Sequence, residues 1–291
     1  MAINLAEKYA SQIQQKFTAA SYVDGHLSNK LDFVGARTVH VYTINSVALN
    51  DYSRAASANR YGTPAEIGDT KQELYMRQDK SFTGIIDKGN SIDQTINKVG
   101  QFIAVETDEV IVPTMDAYKL KRLADFAGTR ACYTADVKAS NIVARMAAGR
   151  KVLKDNRVPT AGCTIFVTTN VFNALVECDQ FKNLINMGEK ALGKGVIGEM
   201  YGMKVVECPS DIMPEGCNFI MVHKDAACTP VKLNETKVHL DPPGVSGSLV
   251  EGRFYYDCFV FDAKKYGIYA DYTGASTTPP AVTDSQEKPT E

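Results

Sequence analysis

The sequence predicts an α+β fold in which a long β-excursion and a long helix stand apart from a body of alternating strands and helices. Three observations carry this. Residues 32–90 form two arms of alternating polar and apolar side chains without enough apolar surface for a core of their own. Residues 92–127 repeat apolar side chains at helical spacing. Residues 136–271 switch between buried-strand runs and helical periods.

In the excursion, the first arm (Thr38 to Ile44) sets Val39 and Val41 against His40 and Tyr42. The returning arm (Glu73 to Asp87) puts Leu74, Met76, Phe82 and Ile86 on one face and Arg77, Asp79, Ser81 and Thr83 on the other. A polar stretch broken by Pro64 and Gly68 joins them. An arm of a dozen residues spans roughly 40 Å, and a ribbon that thin needs something to lie on. It either packs on its own domain or, as the sharper expectation, on a neighbouring copy of the chain.

Upstream, Leu5, Tyr9, Ile13 and Phe17 predict a docking helix over 3–17. Downstream, Asn90 or Ser91 caps a helix whose stripe is Ile92, Ile96, Val99, Ile103 and Val110, with Asp93 at the positive end of its dipole. Pro113 interrupts the stripe, which resumes over Thr114 to Ala127, and one long kinked helix is the favoured reading. A third helix is expected over Asp136 to Lys154, and a short one capped by Asn170. Strands are expected at 163–169, 203–207, 217–223, 229–233, 253–261 and 265–271, the last two apolar on both faces. Residues 188–202 read as a flexible glycine-rich loop, and the polar run from Gly274 as a tail that cannot order itself.

Composition narrows the function. Formal net charge is −2, which gives no basic excess for a dedicated nucleic-acid binder. No apolar run is long enough to span a membrane, and the opening MAINLAEKYA lacks the apolar core of a secretion signal. The seven cysteines form no CxxC pair and mostly sit beside apolar residues, which predicts reduced, buried thiols in a cytoplasmic setting.

Near-matches to catalytic motifs do not hold. GKGVIG (193–198) spells GxGxxG, but the preceding FKNLINMGEKAL looks helical where a dinucleotide site needs a strand. GEKALGKG (188–195) puts Gly195 where a P-loop needs Ser or Thr. The four histidines are scattered, and Asp108–Glu109 reads as the solvated face of a helix. No catalytic residue, cofactor or metal is expected.

The local wording carries a resemblance. NLAEKYASQIQQKF, FVGARTVHVYTINSVALNDY, NRYGTPAEIGDT, QDKSFTGIIDKGN and IGEMYGMKVVECPS resemble the HK97-type major capsid proteins of tailed bacteriophages, in the group infecting Gram-positive gut bacteria. The resemblance extends to about Ala270. It implies an N-arm over 1–30, a peripheral-domain strand over 31–44 and an E-loop over 45–88. It further implies a spine helix within 89–135, an axial domain over 136–244, peripheral return strands over 245–273 and a flexible tail over 274–291.

The function implied is structural: hexamers and pentamers closing an icosahedral shell around packaged double-stranded DNA. Implied partners are other copies of the chain, with scaffolding, portal and decoration proteins in support and weak non-specific DNA contacts. The implied locations are the virion and, before assembly, the host cytoplasm. On the E-loop, Asp51, Arg54, Arg60, Tyr61, Asp69, Arg77 and Asp79 are the expected intersubunit contacts. Two alternatives stand beside this: an encapsulin-type cellular compartment that binds a cargo peptide, and a soluble α/β enzyme with an unrecognised site.

Overall fold

A computed structural model describes residues 21–28, 38–55, 58–88, 98–178, 196–244, 246–282 and 285–286. The helix expected over 3–17, the cap at Asn90 or Ser91, and the P-loop-like 188–195 lie outside the described residues.

The first arm is strand β1 (Thr38–Ile44), as predicted. The returning arm is two strands, not one. Strand β2 (Asp69–Tyr75) pairs antiparallel with β1, from Thr38↔Tyr75 to Ile44↔Asp69, whereas β3 (Gln78–Asp87) leaves for another sheet. The break has a local cause. The Tyr255 hydroxyl donates to the Met76 carbonyl (3.3 Å), and the Arg77 N–H donates to the Asp257 carboxylate (2.9 Å). Those backbone groups serve the body of the protein at the point where the ladder stops.

The long helix is continuous over 98–125: α1 (Lys98–Glu106), a π turn (Thr107–Ile111) and α2 (Val112–Asp125). Pro113 lacks an N–H, and its ring crowds the carbonyl four residues back. The wide turn accommodates it, with the Val112 N–H reaching the Thr107 carbonyl five residues back. The hydroxyls of Thr107 and Thr114 donate to the carbonyls of Ile103 (2.7 Å) and Val110 (2.6 Å).

Strand β4 (Thr129–Tyr133) follows, then α3 (Ile142–Asp155). The sequence placed the start of α3 six residues too early. Asn141 accepts from the Lys138 N–H and donates to the Asp136 carbonyl, which holds 136–141 as a turn ahead of the helix. Strand β5 (Cys163–Thr168) runs into α4 (Thr169–Glu177), whose cap is the Thr168 hydroxyl on the Val171 N–H, not Asn170. Next come β6 (Val196–Met200), β7 (Met203–Cys208), β8 (Cys217–His223), β9 (Ala227–Cys228) and β10 (Val231–Leu240). The chain closes with β11 (Gly247–Tyr256), β12 (Phe259–Val260) and β13 (Ile268–Thr273).

A six-stranded sheet, ordered β4-β13-β8-β5-β7-β6, forms the body. Its strands divide their side chains between two cores at a period of two. Phe166, Ile220, Val222, Ile268 and Ala270 face Leu120, Leu123 and Ala124 of α2. Ile165, Val167, Phe219, Met221 and Tyr269 face Ile142, Met146 and Leu153 of α3 and Val171 and Leu175 of α4. One buried ion pair crosses this structure. The Arg145 guanidinium grips Asp271 through Nη2 and through Nε (3.1 Å), and also reaches the carbonyls of Ala135 (3.1 Å) and Tyr272 (3.0 Å). Asn218 donates to the same carboxylate at 2.8 Å.

A three-stranded sheet, β10-β11-β3, carries α1 on one face. Phe102 of α1 meets Phe82 edge-on (centroids 6.1 Å apart), and Phe82 stacks on Phe254 at the same distance. The approach depends on glycine. A Cβ at Gly252, which lies opposite Phe82, would sit 2.1 Å from that ring. Gly252→Val is therefore expected to destabilise the chain by about 1–3 kcal/mol in urea denaturation, as overpacking does.

The other face of this sheet is charged, with Arg253 bidentate to Asp79 (2.9 and 2.6 Å) and His239 beside Glu251 (3.3 Å). The expectation that 253–261 is apolar on both faces is corrected here. Helix α1 covers only one side, so β11 alternates and Glu251 and Arg253 point to solvent. Strand pairing places β4 and β13 in the body sheet, while β10 pairs with β11.

The two ends of the described chain are tied to α2. Asp116 accepts from the Ser21 hydroxyl and the Tyr22 N–H (2.7 Å each), and Lys119 reaches Asp24 at 2.5 Å. At the other end, described residues of the expected free tail lie against the body. Arg130 donates to the Pro280 carbonyl (2.7 Å), Arg122 to that of Ser285 (3.3 Å), and Gln286 is buried. These holds are backbone carbonyls and one amide, which hydropathy does not register.

Candidate assembly site

The excursion is rigid at its root. Leu74 and Met76 are fully buried and pack with Phe259, against Val39, Val41, Tyr255 and Phe261. Asp257, wholly buried, accepts from the Tyr118 hydroxyl (2.7 Å), the Cys258 N–H (2.7 Å) and the Arg77 N–H (2.9 Å), so a single carboxylate joins the long helix, β11 and the excursion. Burial lifts its pKa above the ordinary carboxylate value, and those three bonds work against the rise. Gln72 adds a second tie, donating to the Val260 carbonyl (2.9 Å) and accepting from the Asp262 N–H (3.0 Å).

Beyond the root, the chain continues as a ribbon whose tip is apolar and uncovered. The Asn45 N–H bonds to the Gly68 carbonyl and the Ser53 N–H to the Arg60 carbonyl, 3.0 Å each, which keeps the two sides together. Tyr52 and Tyr61 meet edge-on with centroids 5.0 Å apart, and Asn50 donates to the Tyr61 carbonyl (3.3 Å). Leu49 is 101% exposed, Tyr61 83%, Ile44 76% and Ile67 68%. These large apolar side chains stand out from the ribbon into solvent.

The expected contact residues separate into four places. Asp51, Arg54, Arg60 and Tyr61 stand exposed on the tip. Asp69 opens β2, across from Ile44. Arg77 and Asp79 are not on the tip at all: Arg77 binds Asp257 at the root through its backbone, and Asp79 binds Arg253 on the three-stranded sheet. Sequence reasoning weighted charge and passed over Leu49, Tyr52 and Ile67, although Val47, Leu49 and Ile67 are apolar residues in a stretch read as polar. It also passed over Asp257, whose signal was a lone carboxylate inside YYDCFVF.

Several buried thiols are held in their protonated form. Burial pushes Cys163 up to about 11 and Cys208 and Cys258 up to about 12, so their thiolates are scarce at neutral pH. Val196 to Gly198, the end of the GxGxxG match, belongs to β6, an edge strand antiparallel to β7, and does not open a helix. A cleft of about 730 Å³ lined by Asp136, Lys138, Ser140, Asn170, Glu177 and Thr273 is an open trough. Among the described residues, no group of three or more His, Cys, Asp and Glu side chains is placed to hold a metal ion, and no helix is long and apolar enough to cross a membrane.

No protein-family model matches the chain, and no curated protein matches it either. Solved structures do. A chain of Mycobacterium phage Che8 superposes with a TM-score of 0.76 at 19% identity, covering 93% of this chain and 98% of that one. A chain from the capsid of cyanophage P-SCSP1u gives 0.72 at 13% identity, covering 94% of each. One from the asymmetric unit of the bacteriophage PhiM1 mature capsid gives 0.69 at 13% identity, over 93% and 92%. The chain has the phage capsid fold.

That fold is the HK97-like architecture the sequence predicted. Within it the excursion is a tethered arm, held at its root by Asp257 and Gln72 and carrying its exposed apolar side chains away from the chain's own cores.

Proposed function

We propose that the chain is the major capsid subunit of a tailed bacteriophage, assembling as hexamers and pentamers into an icosahedral shell around packaged double-stranded DNA. The observation that carries this is the excursion: a ribbon fixed at its root, with Leu49, Tyr52, Tyr61 and Ile67 exposed at its tip, on a phage capsid fold. The tip lies on an adjacent copy. Its apolar side chains supply the contact energy, while Asp51, Arg54 and Arg60 set the register. The role is structural and not catalytic.

Other parts take the roles the resemblance implied. Residues 1–30 serve as the N-arm and residues 136–244 as the axial domain. In a closed shell every interface is repeated, so modest contacts add up to cooperative assembly. Scaffolding, portal and decoration proteins act on that shell, and a net charge of −2 suits a container whose contacts with DNA are weak.

Negative-stain electron microscopy of the purified chain, alone and with its neighbouring gene products, tests this. Closed shells, or rings of five and six, are expected. A persistent monomer or dimer in the presence of those products would overturn the proposal. Shells filled with a tagged protein instead of nucleic acid would move it to a cellular compartment.

A further inference from the structure

The outer edge of β12 is covered by two glutamine side chains instead of a strand. On its inner edge β12 pairs with β9, and the Phe261 N–H continues that ladder to the Ala226 carbonyl (3.0 Å). On the outer edge, the Val260 N–H donates to Gln286 Oε1 (2.7 Å), and Gln286 Nε2 donates back to the Val260 carbonyl (3.1 Å). This is the reciprocal pair that a facing peptide group would make. One step along the same edge, the Asp262 N–H donates to Gln72 Oε1 (3.0 Å), and Gln72 Nε2 donates to the same Val260 carbonyl (2.9 Å). A carbonyl has two acceptor positions, and here one is taken by the excursion and the other by the C-terminal segment.

The shared carbonyl sits inside a junction. Arg122, almost fully buried, sends Nη1 to the Ser285 carbonyl and Nε to the Cys258 carbonyl, 3.3 Å each, with its guanidinium 4.4 Å from the centre of the Phe126 ring. Residues 257–262 thus receive the long helix, the excursion root and the C-terminal segment at once.

We propose that the C-terminal segment is a latch on the β-excursion: Gln286 docked on Val260 fixes the angle at which Gln72 holds the ribbon, and lifting the segment frees that angle. With Gln286 gone, the Val260 N–H is left without its acceptor in a buried position, and the edge that Gln72 grips loses its second hold. The latch belongs to the single chain, so its test is separate from that of shell assembly. In a shell it would give subunits at different positions a means of setting the arm differently.

The test is amide hydrogen exchange on the unassembled full-length chain, with Gln286→Ala and Gln72→Ala made separately and together. Each glutamine holds one reporting amide, so each variant is read at the amide held by the other. Gln286→Ala is expected to speed exchange at Asp262 and across Asp69–Tyr75 by roughly tenfold, and Gln72→Ala to do the same at Val260. The double variant should fall well short of the product of the single effects. Exchange that rises in Gln286→Ala at Val260 alone, or single effects that multiply, would overturn the latch. Thermal midpoints within a few degrees of the parent show that the single variants remain folded, and Gln286→Glu, which keeps the acceptor but loses the donor, should lie between parent and Gln286→Ala.

Discussion

Asp271→Ala is expected to cost the folded chain about 3–5 kcal/mol, read as a lower midpoint in urea denaturation, because it strands the Arg145 guanidinium between α3 and the body sheet. Arg145 is 5% exposed and Asp271 wholly buried, so water cannot replace either partner. Arg145→Met is expected to cost a similar amount at neutral pH, with a pH signature of its own. Burial already holds the Asp271 carboxyl above its ordinary value of 3.8, while Arg145 and Asn218 oppose that rise. Without Arg145 the folded state binds the proton more tightly still, and the unfolded state is unchanged. A raised folded pKa gives stability that is full below the unfolded value and lost as pH rises through the folded one. The deficit of Arg145→Met relative to the parent should therefore be smallest below about pH 4 and grow towards neutrality. An equal deficit at both ends of that range would mean that packing, not charge, carries the loss. The pair changed together to Met and Leu should lose much less than either single variant.

Leu49→Asp combined with Tyr61→Asp is expected to abolish shell formation and leave the subunit as stable as the parent. Both side chains are exposed and sit far from the cores, so the change in unfolding free energy should stay within about 0.5 kcal/mol. If the pair forms the centre of a subunit contact, losing it costs at least about 2 kcal/mol per interface. That raises the protein concentration needed for assembly by roughly thirtyfold before repetition over the shell is counted. Arg54→Ala and Arg60→Ala should shift it far less, as exposed ion pairs contribute about 0–1 kcal/mol each. Light scattering against protein concentration, with thermal melting alongside, separates these outcomes. Normal assembly of the doubly substituted chain would exclude the tip as the contact surface.

The strands were readable because period-two burial is written in the residues themselves: CTIFVTT and CNFIMVH divide between two cores side chain by side chain. The long helix was readable despite Pro113, since the stripe runs on beyond it. Much less visible were interactions between distant residues. Asp257, Asp271 and the Asp116–Lys119 pair look like isolated charges in apolar surroundings, and their partners lie up to 180 residues away in the case of Arg77 and Asp257. The split of the returning arm at Met76 depends on one of these. So does the order of the C-terminal segment, which rests on Gln286 and a few carbonyls where composition suggested only polarity. At the tip, charge is legible in the residues themselves, whereas the exposure of Leu49 and Ile67 follows only from the fold.

The π turn ahead of Pro113 acts as a phase shifter. One residue more than an α-helix would use advances everything beyond it by about 100° of azimuth around the axis. Upstream, the helix aims Phe102 at the three-stranded sheet; downstream, it aims Leu120 and Leu123 at the body sheet. The single spare residue lets one rod address two sheets, with the hydroxyls of Thr107 and Thr114 bonded to carbonyls on either side of the wide turn. A torsion of the chain that turned one sheet against the other would have to pass through this turn, which lies within a helix and not in a loop.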